Sequence, residues 1–202
     1  MKESRAAIVD RSAFNSDVVL PYGLRVSDFE VAMQDVYDFF GDVNKLLLDK
    51  NLRRLDDMLR PAAISGMISD MVTASLAKFS RSLVENRHFN GHPDLIPRNR
   101  YANDSVASGD EGVEIKSTRK KGGAVDTHGA RDQWMCVFVY MVDNVTEPAI
   151  KREPMKFTEV YLCHVGVDDF RRNKRSELGT RTATLDKDGL RKLRERWVYK
   201  LP

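Results

Sequence analysis

Trp134-Met135-Cys136-Val137-Phe138-Val139-Tyr140-Met141-Val142 is an unbroken apolar run. A strand with one wet face would alternate apolar and polar residues. This one does not, so it reads as a central strand buried on both sides. Trp134, Phe138 and Tyr140 therefore belong to a core rather than to a stacking surface. On the N-terminal side, Gly112 to Thr118 alternates in the manner of a second strand. On the C-terminal side, Glu159 to Val165 reads as a third strand, and Trp197 to Lys200 as an edge strand. Asp168 to Lys174 and Asp186 to Arg196 suit short helices. Strands interleaved with helices predict an α/β fold, a mixed central β-sheet flanked by helices.

Further upstream the period changes to that of a helix. Ser27 and Glu30 have the spacing of a capping box, ahead of a helix from about Asp28 to Leu48. Met33, Val36, Phe40, Val43 and Leu47 form its apolar stripe. Pro61 opens a second helix predicted to run to about Asn86, with Ile64, Ile68, Met71, Phe79 and Leu83 on its buried face. Met33, Met67 and Met71 are core or interface residues. Phe89-Asn90-Gly91-His92-Pro93 ends the helical region. The reading is one domain over 1–202, with 1–86 a mainly helical N-terminal region and 87–202 the α/β core.

With 42% hydrophobic and 31% charged residues in 202, the composition is that of a folded chain, not a disordered one. The net charge of +3 permits a nucleic-acid partner without requiring one. Cys136 and Cys163 sit in apolar strands and lack a paired Cys/His pattern, which points to buried free thiols in a reducing compartment. The N-terminus leads into no long apolar run, and no stretch has the length of a membrane span. The expectation is a cytoplasmic protein without membrane association.

Two segments carry chemistry: His92-Pro93-Asp94-Leu95-Ile96-Pro97 and Gly112-Val113-Glu114-Ile115-Lys116-Ser117. Side chains two apart on a strand share a face. Glu114 and Lys116 therefore point to a cleft while Val113 and Ile115 anchor the strand in the core. A connection that returns antiparallel can bring Asp94 to Glu114. Two adjacent carboxylates stay ionised together only with a cation between them. Oxygen ligands without a Cys/His set select a hard ion, Mg²⁺, with Mn²⁺ as substitute. The Ile115 carbonyl is available as a further ligand. Such an ion can bind a phosphate oxygen and activate a water. Lys116 either positions or deprotonates that water, through a depressed pKa, or offsets charge in the transition state; the spacing leaves these roles open.

Pro93-Asp94 followed by Glu114-Ile115-Lys116 resembles the PD-(D/E)XK nuclease superfamily, and specifically a type II restriction endonuclease of a restriction-modification system. The resemblance covers roughly residues 86–142. It implies a restriction-endonuclease-like core, Asp94 and Glu114 as metal ligands and Lys116 as the catalytic lysine. Such enzymes often draw one more acid from the preceding helix, for which Asp70 and Glu85 are candidates. The implied activity is Mg²⁺-dependent hydrolysis of double-stranded DNA at a short specific sequence. A repair, junction-resolving or modification-dependent nuclease is the alternative within the fold, and a non-catalytic DNA-binding protein the alternative outside it.

The basic, glycine-containing loop from Ser117 to Trp134 supplies the expected DNA contacts: Arg119, Lys120, Lys121, His128, Arg131 and Gln133. Arg98 and Arg100, and the group Arg171, Arg172, Lys174 and Arg175, are further candidates for phosphate. His88, His92 and His164 show no ligand spacing, and His164 reads as a satisfied strand residue. Cutting both strands of a duplex suits two-fold symmetry, so a homodimer is expected, with the N-terminal apolar stripe as a candidate surface.

Overall fold

The computed structural model describes residues 6–172 and 182–202. Along the chain these form α1 (Val26–Asp49), α2 (Leu55–Met58), α3 (Pro61–Phe79), β1 (Leu83–Glu85), β2 (Leu95–Pro97), β3 (Val113–Thr118) and β4 (Asp126–Thr127). Then follow β5 (Gln133–Met141), β6 (Lys156–Val165), β7 (Phe170–Arg172), β8 (Ala183–Leu185), α4 (Lys187–Glu195) and β9 (Trp197–Lys200). Among the described residues the main sheet is six-stranded, in the order β1-β2-β3-β5-β6-β9. β3 and β5 are parallel and the other neighbours antiparallel, which makes the sheet mixed. β4, β8 and β7 form a small antiparallel sheet.

The apolar run becomes β5, in the middle of the sheet, and its two faces feed two cores. Cys136, Phe138 and Tyr140 join Phe29, Met33, Val36, Ile64 and Ile68 of α1 and α3. Met135, Val137 and Val139 join Tyr161, Leu185 and Leu193 on the opposite side, beneath α4. Both cysteines are free and buried. The protein is thus an α/β protein whose N-terminal helices pack on a mixed sheet. No described helix is long and apolar enough to cross a membrane.

Several boundaries differ from the sequence reading. The box at the start of α1 is not made by Ser27 and Glu30. Asp28 accepts the Arg25 backbone N–H at 2.9 Å and pairs with its guanidinium at 2.5 Å, while Glu30 turns to Arg11. The second helix stops at Phe79 instead of about Asn86. Ser80 Oγ accepts the Leu83 N–H at 3.0 Å and turns the chain into β1, where Leu83, Val84 and Glu85 pair with β2. Leu83 is buried as expected, but from a strand. Val167–Asp169 is a single 3-10 turn, and Phe170–Arg172 pairs with Ala183–Leu185 as a strand in place of the helix expected over Asp168 to Lys174. Lys174 and Arg175 lie outside the described residues. The N-terminal part of the α1 stripe is spent within its own chain, with Met33 and Val36 at 0% exposure and Phe40 at 2%, while Val43 and Leu47 are only partly covered.

Candidate active site

β3 has one face against the α1/α3 core, and its period-two alternation sorts its side chains. Val113 and Ile115 enter the α1/α3 core. Glu114 and Lys116 point the other way, into a cavity of about 500 Å³. That cavity is also lined by His92, Asp94, His128, Arg131 and Gln133. The sheet register explains this grouping. Leu95 pairs with Val113, so Asp94, one residue before β2, lies beside β3. Its Oδ2 accepts the Ile115 backbone N–H at 2.7 Å. The N–H and C=O of a strand residue point to the same edge, so the Ile115 carbonyl also faces the Asp94 side. The close approach needs Gly112, at φ +138°, where a Cβ would lie 2.0 Å from the Leu95 carbonyl oxygen.

The charges are arranged unequally. Lys116 Nζ donates to Glu114 Oε1 at 2.5 Å. Oε2 is sealed from solvent and faces His92 Nδ1 at 2.7 Å, yet no hydrogen bond of regular geometry reaches it among the described residues. Burial works against the Glu114 charge, but His92 and then Lys116 outweigh it and bring its pKa down to about 2. Asp94 goes the opposite way: burial, and then the charge of Glu114, lift it to about 6, against the pull of Lys116 and the Ile115 N–H. Burial also works against the Lys116 charge, but Glu114 and Asp94 overcome it, and the ammonium pKa is raised. With two carboxylates beside it, Lys116 is held as a cation and donor.

Of the two candidate extra acids, Asp70 on α3 is near enough to Lys116 to help hold its proton. Glu85 sits exposed on β1 and does not line the cavity. The basic loop after β3 divides in two. His128, Arg131 and Gln133 return to the cavity at the start of β5. Arg119, Lys120 and Lys121 follow the other end of β3, with Arg119 about 10 Å along the strand from Lys116 at about 3.3 Å per residue. There Arg119 donates to the Val142 carbonyl, and the Gly122 N–H is held by Glu159. Arg119, Lys120 and Lys121 thus do not line the cavity. Arg98 is exposed, and Arg100 pairs with Glu111 at 2.8 Å. His164 is exposed on β6, edge-on to Trp134.

His92 escapes the sequence reading, because its partner is distant along the chain and the pair has no motif spacing. Proximity to Pro93-Asp94 was the only available signal. One cavity wall, 86–93 with 106–109, is pinned by Asn86. Its Nδ2 donates to the carbonyls of Pro93 and Val106, and its Oδ1 accepts the N–H groups of His88 and Val106. The His92 N–H and C=O add bonds to Ala107 and Gly109.

No protein-family model, no curated protein and no solved structure matches the chain.

Proposed function

We propose that this protein is a Mg²⁺-dependent DNA endonuclease of the PD-(D/E)XK superfamily, working as a type II restriction endonuclease on double-stranded DNA. The observation that carries the reading is the convergence of Asp94, Glu114 and Lys116 on one cavity, with Asp94 bonded to the backbone between the other two. The donor set fits a hard divalent ion. Two carboxylates lie close enough for Glu114 to raise the Asp94 pKa, a strain that a cation relieves. Among the described residues no group of three His, Cys, Asp or Glu forms a complete metal cage. Mg²⁺ commonly takes one or two carboxylates and completes its shell with water and substrate oxygens. Asp94, Glu114 and the Ile115 carbonyl would hold it. Bound there, it would polarise a phosphate oxygen and acidify a water.

The remaining work falls to the chain. Lys116 keeps its proton and places a positive charge where negative charge grows on the phosphate during attack. Lys116 bonds Glu114 Oε1 and the His92 ring faces Oε2, which orients the carboxylate. Arg131 and His128, at the mouth, supply donors for backbone phosphate. Hydrolysis then leaves 5′-phosphate and 3′-hydroxyl ends. Cutting both strands calls for a homodimer.

Purified protein incubated with plasmid or phage DNA and Mg²⁺ is expected to give discrete fragments whose ends a ligase rejoins. Excess EDTA is expected to stop the reaction, and Mn²⁺ added beyond the chelator to restore it. DNA of varied sequence left intact with the metal present refutes the reading.

A further inference from the structure

Gln133 opens β5 at the cavity wall and is 6% exposed. Its Oε1 is sealed and meets no hydrogen-bond partner among the described residues. Buried polar groups are normally paired, and an orphan costs the desolvation of the group. The polar groups around it offer it no donor: the neighbouring orphan, Glu114 Oε2, is itself an acceptor, and the others are engaged. Glu114 is held by Lys116 and His92, and Asp94 by the Ile115 N–H. The Thr127 hydroxyl donates its one proton to the Gly129 carbonyl at 2.7 Å, with the Ala183 carbonyl at 3.2 Å sharing it. On β3 and β5, Glu114 sits opposite Met135, so Gln133 shares the face of Glu114 and Lys116 one strand away. Gln133 thus lines the cavity beside the carboxylates with its amide oxygen unpaired, and the space is larger than a phosphate alone needs.

We propose that Gln133 is a specificity-determining residue, its amide reading the edge of a nucleobase next to the phosphate that is cut. The chemistry selects this ligand. Phosphate oxygens only accept, so they leave an amide oxygen unsatisfied. A base edge offers a donor beside an acceptor, and adenine, with N6–H beside N7, matches an amide at both positions. Arg131 and His128 then take the phosphates, which carry no sequence information. The inference rests on the nuclease reading and adds the element of the substrate that the site distinguishes.

The test is digestion of a randomised DNA library by the full chain and by Gln133→Leu, with sequencing of the fragment ends. Wild type is expected to favour adenine at one position near the cut, on the order of 10-fold or more over the worst base. Gln133→Leu is expected to lose that preference while other positions keep theirs. Its Tm is expected to stay equal or rise, since an orphaned amide is replaced by an apolar group of similar size. Mn²⁺ binding, measured by calorimetry without DNA, is expected to be unchanged. Identical end sequences from the two proteins overturn the proposal, as does a fall in Tm, which marks a structural amide. Weaker Mn²⁺ binding overturns it as well, by making Gln133 a metal ligand. If wild type neither cuts nor binds DNA, the nuclease reading itself has failed. If wild type cuts and only the end sequences refuse to change, this inference alone has failed.

Discussion

Asp94→Asn is expected to abolish DNA cleavage and, at pH 8 with the metal chelated, to make the protein more stable. The catalytic loss follows from removing one of two anionic oxygen donors and is expected to reach about 10²–10³-fold or more. The gain in stability comes from the same feature. An ordinary aspartate near 3.8 has been lifted to about 6 by burial and by Glu114, so the folded protein holds the ionised side chain at a disadvantage of about 3 kcal/mol. Asparagine keeps an oxygen for the Ile115 N–H and carries no charge. A gain of about 2 kcal/mol, or about 4–8 °C in Tm for a chain of this size, is expected. The sign with pH is fixed. Between about pH 4 and 6 the folded state binds more protons than the unfolded one, so wild-type stability from this group falls as pH rises through that window. The advantage of the variant should therefore be complete above pH 7 and vanish below about pH 4. Thermal unfolding in EDTA at pH 4, 6 and 8 measures it; a variant no more stable at pH 8, or equally favoured at every pH, shows the assignment of Asp94 to be wrong.

Gly112→Ala is expected to damage fold and site together. Its φ of +138° is one that L side chains rarely adopt, and the added Cβ would press on the Leu95 carbonyl at 2.0 Å and on Pro93 Cγ at 2.6 Å. The neighbours are backbone and a ring, so neither yields cheaply. Leu95 with Val113 is the register pair that joins β2 to β3, and Asp94 hangs from that junction. A loss of about 2–4 kcal/mol is expected, together with cleavage reduced far beyond what the remaining folded fraction explains. Gly66→Ala is the control. Gly66 lies in α3 with nothing within 4 Å of an added Cβ, and this change should be neutral or stabilising by about 0.5–1 kcal/mol. Equal Tm values for the Gly112 variant and wild type would show that the junction tolerates displacement.

The sheet was legible because its key signals are local. The run from Trp134 to Val142 has no polar face, and Glu114 and Lys116 share a face by strand period alone. Convergence of Asp94 on that pair came through the resemblance, since nothing in spacing says which way a chain turns between positions 94 and 114. What stayed hidden depends on partners far along the chain or on competition between near-equal choices. Leu83 continues the helical apolar period, so only Ser80 and the pairing of Val84 with Ile96 reveal a strand there. Ser27 and Glu30 fit a capping box, but Asp28 and Arg25 form the stronger ionic version. His92 lacks a motif, and its role exists only because β3 passes beside it. The basic loop looked like one surface; Gly122, drawn in by Glu159 and Arg194, folds it back and sends its charges to opposite ends of β3.

Asn86 pins one cavity wall with four side-chain bonds and the His92 backbone adds two, whereas the floor rests on β3 and on β5, which lies between two cores. Opening of a protein begins where few interactions must break at once. Warmth is therefore expected to slacken the wall, with His92 and the adjoining Asp94, before the floor that carries Glu114, Lys116 and Gln133. For an enzyme of the kind proposed, cleavage would then fail at a lower temperature than the fold, while the base preference set from β5 persists in the cutting that remains.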